Sequence, residues 1–458
     1  MTTGKNQFLA SKQHPPIPAI DAAFNTVGGW HIPNDWPITA LGDLCSFSNG
    51  VNAERTAYGL GIPFINVLEV IRHTHLIEMD IPGKVSLRKA LIESFAVRRG
   101  DILFNRTSET QEEVGLSAVY LDDATVVFGG FVIRGRFIND SMDATYVGYA
   151  FRAPFIRSQI VAQGQGAIRA NIGQANLKLV LVPVPNRSEQ RAIAEALSGV
   201  DGLLGALEAL IAKKRAIKKA AMQQLLTGKT RLAGFRASNG HKGSDLGVIP
   251  TDWDCVRMGQ VVDLLTGFPF PSTGYSSRGV LLVRGSNVKR GQMDWQGDIT
   301  KYWPAVTPEL ARFQLRDGDL VIAMDGALVG RSFAVVSAAD LPSLLLQRVA
   351  RLRSSIVDQG LLTSWVASDS FATYVDSVKT HTAIPHISAA DIRNFLIAVP
   401  SDPAEQRAIA GVLTDMDAEI AALERRRDKT RAIKQGMMQQ LLTGRVRLVK
   451  PESIEAGA

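Results

Sequence analysis

Apolar and polar positions change period several times along the chain. From Glu189 the apolar residues recur every three or four positions, at Ile193, Leu197, Val200, Leu204, Leu207 and Ile211. This is an a/d seam, and it predicts a long helix over 189–226. The pattern returns at Ile409, Leu413, Met416, Ile420 and Leu423. Polar residues and proline precede each run (PNRSEQ, PSDPAEQ), and Gly228 and Gly444 follow where a C-terminal cap is expected. A rod over 189–226 spans about 57 Å at 1.5 Å per residue. Elsewhere the apolar runs are short and rich in β-branched and aromatic residues. They predict strands at 63–67, 101–104 and 124–128, a helix over 143–162, and a buried strand at 177–184. The second half repeats the order, with strands at 280–284, 319–324 and 333–336, a helix near 357–378, and a strand at 395–399.

The long helices carry an internal repeat. Residues 189–232 and 405–448 align without a gap, and 25 of the 44 positions are identical. The flanks echo more weakly. Ile32-Pro33…Trp36 matches Ile249-Pro250…Trp253, Gly100-Asp101-Ile102 matches Gly318-Asp319-Leu320, and Ile172 to Pro185 matches Ile387 to Pro400. The chain therefore reads as one unit of roughly 216 residues used twice, a mixed α/β globular part followed by a helix. One seam per helix needs a partner. Two near-identical seams in one chain most simply pack on each other as an antiparallel coiled coil about a pseudo-twofold axis. The alternative is that each helix packs only on its own globular part. The fold class expected is α+β.

Composition narrows the function classes. Hydrophobic residues make up 46% and charged residues 21%, which excludes a disordered or fibrous chain. Cys45 and Cys255 are too few for a disulfide framework or a thiolate zinc site and suggest a reducing, cytoplasmic setting. No signal-peptide pattern and no membrane-span-length apolar run is present. The net charge is +7, and the two repeated segments carry all of it, +4 in 189–232 and +3 in 405–448. A basic helical face serves as a solvated surface, as a neighbour of phosphates, or as a dock for an acidic protein.

Catalytic patterns are missing. The sequence has no Asp/Asn-Pro-Pro-aromatic tetrapeptide for methylating a flipped adenine and no G-x-S-x-G. Gly228-Lys229-Thr230 lacks the earlier glycine and preceding strand of a phosphate-binding loop, and reads as a helix cap. His73-x-His75 and His381…His386 lack a third metal ligand. Asp101, Glu109, Glu112 and Glu113 are the acidic group that a degenerate nuclease site would use. A scaffold without DNA contacts is the third reading.

Polar loops follow matched strands in the two halves and precede the last strand of each. Arginine side chains suit guanine edges, and Asn or Gln suit adenine. The candidate readers are therefore Asn66, Asn105, Arg106, Ser108, Gln165, Arg169 and Asn171 in the first half. In the second they are Arg284, Asn287, Lys289, Asp325, Arg331, His381 and His386. The alternative for each is an ordinary surface position.

The chain resembles the specificity subunit of type I restriction–modification enzymes. The resemblance rests on the paired Ile-Pro…Trp starts and the Gly-Asp-Ile/Leu strands. It rests also on the Pro…Glu-Gln helix entries at 185–190 and 400–406, and on Met-Gln-Gln-Leu-Leu-Thr-Gly at 222–228 and 438–444. Arg169-Ala170-Asn171 stands where the family often has a Gln-Pro type loop. The resemblance implies target recognition domains at 30–186 and 247–401, and conserved helical regions at 187–232 and 402–448. An N-terminal extension (1–29), a linker (233–246) and a tail (449–458) complete the chain. Each recognition domain would read half of a bipartite target in double-stranded DNA. The paired helices would set the spacer and dock two adenine-N6 methyltransferase (modification) subunits. S-adenosylmethionine would sit on those subunits, and ATP and Mg on added restriction subunits. This chain would carry no cofactor, no metal and no catalysis.

Overall fold

The computed structural model describes residues 24–27, 29–166, 169–235 and 240–450. Most of the extension 1–29, residues 167–168 of one polar loop, 236–239 of the linker and the tail from 451 lie outside the described residues. The chain divides into two compact units, one of residues 1–206 with 427–458 and one of residues 207–426. Each division falls inside a long helix. These helices are α1 (Arg187–Leu225) and α2 (Pro403–Leu441), each of 39 residues.

In the first unit, five strands form the main sheet: β1 (Cys45–Asn49), β2 (His75–Leu76), β3 (Ile102–Asn105), β4 (Ser117–Tyr120) and β5 (Val132–Phe137). Their spatial order is β1-β5-β3-β4-β2, antiparallel except for the β4–β2 pair. All four residues of β3 are buried, in keeping with the apolar run Ile102-Leu103-Phe104. A second sheet pairs Tyr58–Ile65 in parallel with Val126–Phe128. The core gathers Ile32, Trp36, Phe104, Tyr146 and Phe151 around Ile193 and Leu197 of α1, Leu441 of α2 and Leu442 just past it.

In the second unit, β6 (Asp263–Thr266), β7 (Arg290–Gly291), β8 (Leu320–Ala323), β9 (Phe333–Val335) and β10 (Val349–Arg353) stand in the order β6-β10-β8-β9-β7. Every pair except β9–β7 is antiparallel. This is the order and orientation of the first unit, strand for strand. Val280–Val283 again pairs in parallel with Ser343–Leu345. The core joins Ile249, Trp253, Ile322 and Trp365 to Met222 and Leu225 of α1, to Leu226 just past it, and to Ile409 and Leu413 of α2. Each core thus takes residues from both long helices, so neither helix packs only on the globular part before it. Burying one Leu or Ile side chain contributes roughly 1.5–3 kcal/mol.

Several sequence expectations shift. The helix expected over 143–162 is two helices, Ala144–Ala150 and Pro154–Ala162, because Ala153 is extended before Pro154. The helix near 357–378 breaks into Gln359–Val366 and Asp369–Val378, where Ser368 accepts from the Phe371 amide and starts a new N-terminus. Leu177 lies in the helix Gln174–Lys178 rather than in a strand, and only Leu181–Pro183 is extended. A short, mostly apolar run carries too few positions for its period to tell the two apart. Part of the expected linker is a hairpin, His241–Ser244 against Gly247–Pro250.

Candidate functional site

The repeated motifs meet at one node in each unit. In the first, Glu189 is fully buried at the start of α1. Trp36 Nε1 donates to its Oε2 at 3.2 Å, and Arg447, just past α2, donates to both its oxygens. Arg447 also grips Asp35 bidentately at 3.0 and 2.8 Å, and its guanidinium lies 5.5 Å from the Trp36 ring centroid. In the second unit, Trp253 Nε1 donates to Glu405 at 3.2 Å, and Arg231 bridges Glu405 and Asp252. The arginine hydrogen bonds hold the Asp35 and Asp252 carboxyls below the usual carboxylate range. The neighbouring glutamines act alike. Gln190 accepts from the Asp143 amide at 2.6 Å and donates to the Pro185 carbonyl at 2.8 Å, while Gln406 accepts from the Asp358 amide and donates to the Pro400 carbonyl, both at 2.8 Å.

The capping glycines belong to the same nodes. Gly444 and Gly228 have φ of +66° and +68°, and a Cβ on either would meet Pro33 at 2.3 Å or Pro250 at 2.5 Å. The Gly-Asp strand entry is also structural. Asp101 and Asp319 are buried, and each accepts a two-nitrogen bond from an arginine of the neighbouring strand, Arg136 on β5 or Arg353 on β10. Asp101, the buried member of the acidic group weighed for a nuclease, is therefore neutralised by an ion pair.

The loops read as separate candidates converge within each unit. In the first, Thr107 and Ser108 bridge Asn171 and Ala170, and Thr107 Oγ1 donates to Asn171 Oδ1 at 2.7 Å. The Ile172 amide donates to the Arg106 carbonyl at 3.0 Å. In the second, Asp325 bridges His386, and the Ile387 amide donates to the Met324 carbonyl at 2.9 Å. Each unit thus presents one polar face made from two distant segments.

The candidate readers divide by exposure. Arg106, Gln165, Arg169, Asn171, Lys289 and His381 are exposed, and Asp325 and His386 are half-buried beside one another. Arg169 lies 3.8 Å from Glu109, and Lys289 lies 3.9 Å from Asp294. Three candidates instead hold their own loops. Asn105 is buried, donates to the Glu113 carbonyl at 3.1 Å and accepts from the Thr107 amide at 3.3 Å. Ser108 donates to Glu113 at 3.0 Å. Asn287 is fully buried and bonds the Asp294 carbonyl at 2.9 Å and the Arg284 amide at 3.2 Å. Asn66 caps the helix Val67–Arg72, Arg284 sits half-buried before the turn 285–287, and Arg331 is paired with Asp376. His75 bonds the Thr145 carbonyl at 2.8 Å and meets the Tyr149 ring edge-to-face; burial lowers its pKa.

The seam residues are all inside or half inside. Ile193, Leu197, Leu207, Ile211, Ile409, Leu413 and Ile420 are buried, and Val200, Leu204, Met416 and Leu423 are half-buried. Much of the helical basic charge is matched by acids. In the first unit Lys434 meets Asp201 at 2.6 Å. In the second, Lys214 meets Glu419 at 2.6 Å, Lys218 meets Asp417, and Lys219 meets Asp369 at 2.8 Å. Sequence reading missed these pairings and the Arg447 and Arg231 contacts. The repeated Arg-Leu after each Thr-Gly marked those arginines without revealing their partners. Among the described residues no three His, Cys, Asp or Glu gather as a metal site, and no helix is long and apolar enough to cross a membrane.

No family model matches the chain. It is 26% identical over 444 residues to the type I restriction enzyme MjaVIII specificity subunit of Methanocaldococcus jannaschii, covering 93% of this chain and 96% of that one. The putative MjaX specificity subunit of the same organism is 24% identical over 422 residues, covering 91% and 95%. A stretch of 166 residues is 29% identical to the EcoAI specificity subunit of Escherichia coli, covering 35% and 28%. Among solved structures, the S subunit of a type I restriction–modification system from M. genitalium aligns with a TM-score of 0.54 at 14% identity, covering 92% and 97%. A chain from a structure on complex assembly and conformational transition of the type I R-M system aligns with a TM-score of 0.54 at 18% identity, covering 91% and 99%. The resemblance carried by the repeated motifs therefore extends over nearly the whole chain: its relatives and structural neighbours are type I specificity subunits.

Proposed function

On the premise of that likeness, we propose that this chain is the DNA sequence-specificity subunit of a type I restriction–modification complex and is not itself catalytic. The observation that carries the reading is its end-to-end similarity to the MjaVIII specificity subunit, 26% identity across 93% of the chain. Each unit reads one half of a bipartite target through the face where its two loops converge. The first face offers Arg106, Arg169 and Asn171, and the second offers Asp325, His381 and His386. Arg and Asn match base-edge donors and acceptors, and the different residue sets suit two different half-sites.

The two long helices pair as an antiparallel coiled coil about a pseudo-twofold axis and set the spacer between half-sites. The order of their ion pairs supports this. From Glu189 to Asp201 on α1 the partners run backwards from Arg447 to Lys434, and from Glu405 to Asp417 on α2 they run backwards from Arg231 to Lys218. The matching sheet order of the two units supports the pseudo-symmetry. The same helices dock two adenine-N6 methyltransferase subunits, which bring S-adenosylmethionine; restriction subunits, where added, bring ATP and Mg. The work is done in the cytoplasm, on double-stranded DNA.

Co-expression with the neighbouring modification subunit, followed by sequencing of methylated adenines, tests the reading. A split motif with a fixed gap is expected. A continuous motif, or no motif, contradicts it.

A further inference from the structure

A third segment meets the two converging loops, and sequence reading gave it no role. In the second unit the Val349 amide closes a turn on the Leu346 carbonyl at 3.2 Å. The carbonyl of Arg348 in that turn accepts from the Met324 amide at 2.8 Å. Met324 also bonds Ile387 and precedes Asp325, so Arg348 stands at the backbone junction of the Asp325 and His386 loops. The first unit has the same junction. Val132 closes on Gly129 at 2.9 Å, and the Phe131 carbonyl accepts from the Arg106 amide at 2.9 Å. Phe131 and Arg348 are therefore equivalent positions of different chemistry, and both side chains are exposed.

Arg348 has φ +70°, making it the one non-glycine residue in the left-handed region among the described residues. That position of a turn favours glycine. Among the described residues no carboxylate or hydrogen-bond acceptor engages its guanidinium. The fold thus bears a strained arginine and, among the described residues, draws no hydrogen bond or ion pair from its side chain, a pattern that marks functional positions.

We propose that the turn 346–349 is a third reading element of the second unit and that Arg348 offers its guanidinium to a guanine edge in that unit's half-site. This rests on the specificity-subunit reading above. Arginine bonds guanine O6 and N7 as a rigid planar fork, and lysine reaches the same two acceptors with a compact ammonium on a flexible stem.

The test is Arg348→Gly and Arg348→Lys in the full chain with its modification subunit, read by the methylated motif and by thermal melting of the purified chain. Arg348→Gly is expected to melt no lower than wild type, because glycine accepts the φ. It is also expected to lose about tenfold or more discrimination at one position of a single half-site, with the other half-site intact. Arg348→Lys, which keeps donors for guanine O6 and N7, is expected to retain more of that discrimination than Arg348→Gly. A stable Arg348→Gly chain with both half-sites unchanged overturns the proposal, and so does a lysine variant that discriminates no better than the glycine variant. Absence of any split motif from the wild-type complex instead defeats the specificity reading itself, so the two failures are told apart.

Discussion

The two units share a sheet order, a buried Trp–Glu–Arg–Asp node and a Gly-Asp strand entry, yet they differ wherever their loops converge. Arg106 in the first unit has buried Met324 as its counterpart in the second. The Thr107–Asn171 pair corresponds to Asp325–His386, and Phe131 corresponds to Arg348. The repetition therefore marks the frame, and the divergence marks the surface that carries function. A residue present in both copies, such as Glu189 with Glu405, is a buried structural contact. One that changes between copies while its backbone bonds persist is free to specify a ligand.

The largest effect expected is at the nodes. Glu189→Leu leaves Arg447 and the Trp36 Nε1 without their buried acceptor and is expected to cost about 3–5 kcal/mol in denaturant unfolding, with Glu405→Leu doing the same in the second unit. A cost below about 1 kcal/mol at both would show that the shared frame does not depend on them. Next come the glycines. Gly444→Ala meets both a left-handed φ and the Pro33 ring, whereas Gly318→Ala meets only the φ of +83° in open space. Costs of about 2–3 and about 1 kcal/mol respectively are expected in the same assay. Equal costs would remove the Pro33 contact from the account.

The reading faces give smaller and more local changes. Arg106→Ala is expected to lose roughly 1–3 kcal/mol of discrimination in one half-site, seen as a degenerate base in the methylated motif. Arg331, tied to Asp376, is expected to leave the motif unchanged when replaced by Ala and to cost no more than about 1 kcal/mol of stability. A motif that changes with Arg331 and not with Arg106 would make Arg331 the reader and Arg106 a bystander. The smallest effect concerns pH. Asp35 and Asp252 titrate lower in the folded chain than in the unfolded one, so their stabilisation is complete above about pH 4 and falls away as pH drops through the folded values. Melting temperature should therefore decline below about pH 4, and less steeply for a chain carrying Asn at both positions.

Much of the frame was legible in the residues. The heptad spacing gave the long helices to within two residues at each end, since a sustained 3.5-residue period has no strand equivalent. The repeated motifs gave the twofold order of elements and the likeness to specificity subunits. Breaks in the shorter helices were less legible, although Pro154 and Ser368 were in plain view, because a cap competes with a continuing helix only through local geometry. The sites were less legible still. Asn105, Ser108 and Asn287 have the composition of readers but spend their hydrogen bonds inside their own loops. Arg348 sits in a run, LLLQRVARL, to which the sequence pattern assigned no element, and the turn lies between the strands Ser343–Leu345 and Val349–Arg353.

Sequence alone determined which segments repeat, which are helical and which family's motifs they carry, because period and identity are properties of chain order. Only the tertiary structure decided that Glu189 meets Arg447, that loops some sixty residues apart share one face, and which polar side chains remain free. Those outcomes depend on which groups lose water together and must then find partners, and no local pattern records that.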